Sequence, residues 1–151
     1  MIERIYTRSR SAGPQTSHDQ VEVVEGAGIE GDRYFGHDGN PGQNITFVEA
    51  EAIEFFQDEH RLPRDLSVTG RNVVTRGVRL NELVGRQFLF GSIRFRGIEL
   101  CEPCMTLGNA LASAVLPPRA VVKCLSHRAG LRADILSTGS LAVGDRFENA
   151  A

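Results

Sequence analysis

Apolar residues recur along the chain in short runs with a two-residue period, broken by glycine and proline, and this pattern predicts a mainly β protein. Residues 2–7, 21–24, 44–48, 73–75 and 87–90 read as strands. Ile93 and Phe95 hold one phase of the alternation, and Ile98 and Leu100 hold the opposite phase. The switch at Arg96-Gly97 therefore predicts a bulge or a tight turn. Residues 120–125 and 141–147 complete the predicted strands. Residues 49–60 form the one clear helix: Ala52, Ile53 and Phe56 make its apolar stripe, Phe55 widens it, and Pro63 lies just beyond. Gly77 opens a turn ahead of residues 80–84. Residues 106–116 are mostly small and read as a helix or turn stretch ended by Pro117-Pro118. The polar segment 9–19 reads as a loop, and 26–42, with its six glycines, as a long irregular segment. Many short strands with glycine turns and few helices imply a small barrel or a strongly curved sheet.

Length and charge narrow the classes. A chain of 151 residues suits a single domain spanning 1–151. Such a chain buries roughly 68–70% of its unfolded surface without disulfide staples. A net charge of −2 gives no reason to expect nucleic-acid or membrane binding. No run approaches the roughly 18 apolar residues of a membrane span. The N-terminus lacks the apolar stretch of a secretory signal. The expectation is a cytoplasmic chain with reduced thiols. Lys123 is the only lysine among 17 basic residues. Codon bias accounts for such a preference, and the planar guanidinium also suits bidentate contact with phosphate or carboxylate.

Cys101-Glu102-Pro103-Cys104 is the strongest chemical feature, and several readings stay open. A redox dithiol is one, although such motifs usually sit in a βαβ context. A structural zinc site is another, because Cys124 and His127 form a Cys-x-x-His that 19 residues separate from Cys104. That set of Cys101, Cys104, Cys124 and His127 would make a non-catalytic zinc module. A lone reactive thiolate or metal ligand is the third: Pro103 fixes the backbone before Cys104, and Arg119, His127 and Arg128 are candidate cations. Cys124, amid Val121, Val122 and Leu125, reads more simply as a buried small apolar residue. Gly28-Ile29-Glu30-Gly31-Asp32-Arg33 makes either a surface turn or a turn that aims Arg33 at an anion. Arg71, Asn72, Thr75 and Arg76 either dress an edge strand with charge or supply hydrogen bonds to a polar ligand.

Taken in order, the segments GIEGDRYFG (28–36), NITFVEAEAIE (44–54), RNVVTRGVRLNELVGRQF (71–88), ELCEPCMTL (99–107) and SHRAGLRADIL (126–136) resemble the MOSC domain, the module at the C-terminus of molybdenum cofactor sulfurases. The resemblance covers nearly the whole chain. It implies a mainly β, barrel-like MOSC-type fold with one clear helix and short helical segments. It also implies one functional cysteine, matching Cys104, that carries sulfur as a persulfide or ligates molybdenum. The implied cofactor is the molybdenum cofactor, molybdopterin, a pterin dithiolene with a terminal phosphate. The implied chemistry is cofactor sulfuration or reduction of N-hydroxylated compounds, as enzyme or as an adaptor docking to a cysteine desulfurase or molybdoenzyme. Arg33, Arg71, Asn72, Thr75, Arg76 and Arg128 fall in matching segments and are the expected contacts to the cofactor or another small anion. His127 is an expected proton relay. Pyridoxal phosphate, sometimes associated with the family, needs a Schiff-base lysine, and the chain offers only Lys123. No cysteine-desulfurase domain precedes these segments in the sequence.

Overall fold

The computed structural model describes residues 1–10, 13–36, 41–103, 105–112 and 116–150. An eight-stranded sheet forms its body. Its strands are β1 (Ile2–Arg8), β2 (Gln15–His18), β5 (Ile45–Glu49), β6 (Val73–Thr75), β7 (Gln87–Phe90), β8 (Ile93–Leu100), β9 (Leu131–Ile135) and β11 (Phe147–Asn149). Their spatial order is β11-β7-β8-β9-β5-β6-β1-β2. A second sheet of order β10-β3-β4 joins β3 (Gln20–Val24), β4 (Gly28–Ile29) and β10 (Gly139–Ala142). Pairing is antiparallel except between β5 and β6, which are parallel and linked through α1 (Ala50–Glu59), as a parallel crossover requires. Two further helices, α2 (Met105–Leu111) and α3 (Pro118–Leu125), lie between β8 and β9. The main sheet has free ends at β11 and β2, so among the described residues the strands do not close into a barrel.

Both sheets close over one core that runs from Ile2 and Ile5 of β1 to Leu141 of β10. Its centre is aromatic. Phe47 lies 5.7 Å from Phe88 and 5.2 Å from Phe95 between ring centroids, both edge-on, an arrangement that aromatic quadrupoles favour. Each of these rings is fully buried. The outer face of the sheet packs Val48 and Val74 against Ala50 and Ile53 of α1. A third cluster ties Phe56 of α1 to Cys101, Leu107, Val121, Leu125 and Ala129.

The expected phase switch in β8 is a register shift between Gly97 and Glu99 opposite β9. A Cβ on Gly97 would sit 2.1 Å from the Leu83 carbonyl oxygen, so this close approach needs glycine. Elsewhere the structure corrects the pattern. Residues 120–125, expected as a strand, belong to α3. Pro118 opens that helix where no N–H is needed, and Val121 and Leu125, one turn apart, are both buried. The expected loop 9–19 contains β2, a polar strand paired with β1 from Ile5↔His18 to Arg8↔Gln15. The expected strand 141–147 is split between β10 and β11 by a turn. Gly144 adopts φ 92°, and Asp145 accepts a hydrogen bond from the Ala142 amide. Residues 80–83 form a 3-10 turn. No helix among the described residues is long and apolar enough to cross a membrane.

Candidate functional site

A polar cleft of about 120 Å³ opens where the end of β1, the turn after β4 and the approach to β6 meet. Four arginines line it: Arg8 closing β1, Arg33 after β4, Arg71 before β6 and Arg132 on β9. All four are half-buried. Asp32 is the one carboxylate among the described residues of the lining, and backbone amides hold it: its Oδ1 accepts from Arg8 N at 3.1 Å and its Oδ2 from Tyr34 N at 3.4 Å. Gly31, at φ 86°, supplies the left-handed turn that the GIEGDRYFG segment predicts. The Arg33 amide donates to the Arg8 carbonyl at 2.7 Å, and its guanidinium lies 4.5 Å from the Tyr34 ring centroid. Four arginines line the cleft, of which Arg132 is also paired with Glu99 at 3.8 Å, and the guanidinium fork suits a phosphate or similar oxyanion.

Asn72 lines the cleft but is committed to the scaffold. Its Oδ1 accepts from Thr46 N and Thr46 Oγ1, each at 3.1 Å, and its Nδ2 donates to the Tyr6 carbonyl at 3.2 Å. It thereby locks β1 to β5 beside the cleft. Arg71 is steered by its Nε, which donates to the Ala129 carbonyl at 2.9 Å.

Two of these arginines, Arg71 and Arg132, also act on Cys101. Cys101 is 2% exposed, and its amide donates to the Gly130 carbonyl at 2.8 Å. Burial pushes its thiol above the ordinary cysteine range, and the positive charges of Arg71 and Arg132 oppose that shift. Cys101 therefore behaves as a packed, protonated side chain next to the cleft. Cys104, the expected functional thiol, lies outside the described residues.

The remaining expected site residues are dispersed. Thr75 is fully buried, its hydroxyl donating to the Val48 carbonyl at 3.5 Å. Arg76 is paired with Glu3 and Glu54 on another face. Arg128 stacks over Phe55 at 5.1 Å beside α1. His127, in the turn after α3, adopts a left-handed φ of 62°, and its exposed Nδ1 lies 3.4 Å from Glu102 Oε1 in the segment that follows β8. Arg33, Arg71 and Asn72 thus share one cleft, while Thr75, Arg76 and Arg128 stand outside it. Arg8 and Arg132 join it without having been expected. The signal for Arg132 was its polar place between the apolar Leu131 and Ala133 of an alternating run.

Cys104, one member of the zinc alternative, lies outside the described residues, and the other three stand as follows. Cys101 is buried in the helix-facing core, Cys124 is exposed beside His60, and His127 faces Glu102. No group of three or more His, Cys, Asp or Glu among the described residues is placed to hold a metal ion.

A model of the MOSC domain family matches residues 35–148. Among solved structures, the YuaD protein of Bacillus subtilis superposes with a TM-score of 0.81 at 21% identity, covering 97% of both chains. YiiM of Escherichia coli superposes at 0.69 with 14% identity, over 99% of this chain and 69% of that one. YiiM of Geobacillus stearothermophilus gives 0.70 at 14%, over 100% of this chain and 76% of that one. No curated protein matches the chain.

Proposed function

Because the chain belongs to the MOSC domain family, we propose that it binds the molybdenum cofactor, with the arginine cleft holding its phosphate and Cys104 acting as the sulfur-carrying or metal-ligating thiol. The observation that carries this reading is the convergence of Arg8, Arg33, Arg71 and Arg132 in one cleft, two of which also bear on Cys101. The donor set fits the group. Forked cations suit a phosphate, and a thiolate three residues beyond Cys101 suits a soft metal–sulfur centre. When bound, the cofactor supplies the molybdenum and dithiolene that carry sulfur- or oxygen-transfer chemistry.

This chain's own residues bind and orient. Arg71 and Arg132 set the charge between the cleft and Cys101, and the buried Cys101 anchors the segment that follows β8. Pro103 stiffens the approach to Cys104. Glu102, two residues before Cys104 in the sequence, is paired with His127 from the turn after α3, and this pair would move protons to or from the reacting group. Docking to a cysteine desulfurase or to a molybdoenzyme supplies the sulfur or the electrons.

The test is anaerobic loading with the cofactor released from a molybdoenzyme. Retained pterin is read by fluorescence after oxidation, and molybdenum by elemental analysis. Wild type should retain both. Arg71→Ala with Arg132→Ala should lose the pterin. Cys104→Ala should keep the fold and lose molybdenum, or lose persulfide labelling after exposure to a desulfurase. Equal retention in all three proteins would sink the reading.

A further inference from the structure

A second cavity, of about 350 Å³, lies between α1 and α3 and shares no lining residue with the arginine cleft. Sequence spacing pairs Cys124 with His127. The structure instead sets the exposed Cys124 Sγ 3.7 Å from His60 Nε2, within the reach of a contact to the large sulfur atom. His60 follows α1, and its ring packs on Phe56 at 4.9 Å, which fixes the imidazole beside the thiol. Lys123 and Arg128 line the same cavity, Phe55 and Phe56 supply its aromatic wall, and Glu59 is the one carboxylate among its described lining residues. The stacking of Arg128 on Phe55 at 5.1 Å orders that cation at the rim. Nothing in the cofactor reading uses this thiol.

The cavity therefore joins a nucleophile, an adjacent base, two cations and an apolar wall. A thiol beside an imidazole is the arrangement that activates sulfur for attack. The cations select an anionic reactant, and the aromatic wall accepts its apolar portion. We propose that Cys124 and His60 form a thiol–disulfide exchange site for small carboxylate-bearing disulfides. His60 takes the Cys124 proton as sulfur attacks one sulfur of the incoming disulfide. The incoming S–S bond breaks as the Cys124–ligand S–S bond forms. The departing thiolate leaves with the electron pair of the broken bond and takes the proton from His60. Cys124 is oxidised, the released half is reduced, and the incoming disulfide is the only oxidant needed.

The experiment treats the reduced full chain with dithio-bis-nitrobenzoate, an anionic disulfide, and with uncharged dithiodipyridine, and follows labelling of the Cys124 peptide by mass spectrometry. Mapping the peptide separates Cys124 from Cys104, and Cys124→Ser removes the mapped label. His60→Gln should slow Cys124 labelling by both reagents about tenfold. Lys123→Ala combined with Arg128→Ala should slow the anionic reagent about tenfold and change the neutral one by less than about twofold. Circular dichroism checks that each variant is folded. An unchanged rate in folded His60→Gln, or an anionic preference that survives loss of both cations, overturns the proposal.

Discussion

The Nε of Arg71 donates to the carbonyl of Ala129 at 2.9 Å, across 58 residues of chain. This bond crosses from the approach to β6 to the approach to β9, the two segments that flank the cleft. It leaves the Nη groups as the donors that Arg71 has for a ligand. A lysine has neither the Nε hold nor the fork. Arg71→Lys should therefore weaken inorganic pyrophosphate binding about tenfold, measured by isothermal titration. Its loss of stability should be no more than about 1 kcal/mol, the worth of one hydrogen bond.

Arg76 tests the opposite expectation. It shares a matching segment with Arg71, yet its side chain is taken by Glu3 and Glu54. Arg76→Ala should leave pyrophosphate affinity within about twofold, and it should cost about 1 kcal/mol or less, since Arg76 is 40% exposed and solvent screens the pair. The hydrogen bond from Arg76 holds the Glu54 carboxyl below its usual range. The folded form therefore releases that proton more readily than the unfolded chain. The pair's stabilisation is present above the unfolded carboxyl's range and is lost as pH falls through the folded one. Urea titrations of wild type and variant at neutral pH and near pH ~3 should differ at the first and converge at the second.

Much of this architecture was legible from the chain, and the misses have physical causes. The α1 stripe of Ala52, Ile53 and Phe56, the strands β5 to β8 and the phase change at Gly97 follow from side-chain periodicity alone. The helix α3 did not, because Val121 and Val122 favour strands locally. Packing of Val121 and Leu125 on the Phe56 cluster outweighs that preference. The strand β9 was hidden by its short, arginine-bearing alternation, although it pairs with both β5 and β8 at the centre of the main sheet. The candidate site shows the same division. Arg33 and Arg71 stand in motifs with turn glycines and were visible. Arg8 and Arg132 reach the cleft through strand pairing, and the local alternation around Arg132 marks it as outward-facing but not as a partner of Arg33 and Arg71. The exposed pairing of Cys124 with His60 spans 64 residues and contradicts the buried reading of that cysteine.

Gly130 carries the constraint that places Ala129 and Cys101. It adopts φ 114°, and a Cβ there would lie 2.1 Å from the Phe47 carbonyl oxygen. Gly130→Ala should destabilise the fold by more than about 2 kcal/mol, since it combines backbone strain with a clash against a buried strand. Urea unfolding measures this. The loss should appear as a lower midpoint with an unchanged slope if the native fold survives.

Cys101 and Cys124 should separate cleanly by reactivity and by pH. Cys101 is buried and its thiol is pushed up, while Cys124 is exposed. Iodoacetamide at neutral pH should label Cys124 in the native protein and leave Cys101 unlabelled until the chain is unfolded, because alkylation requires an accessible thiolate. The raised thiol also has a signed effect on stability. Below the unfolded cysteine's titration, both states keep the proton and the burial of neutral Cys101 costs nothing in charge. As pH rises through that range, the unfolded chain releases the proton first, so the folded state loses ground. Cys101→Ala removes this titration along with a few packing contacts. Wild type should thus lose stability relative to the variant between about pH 8 and 10, as read by denaturant midpoints across that window. A constant offset between the two proteins across that range would mean that Cys101 is not held protonated by the fold.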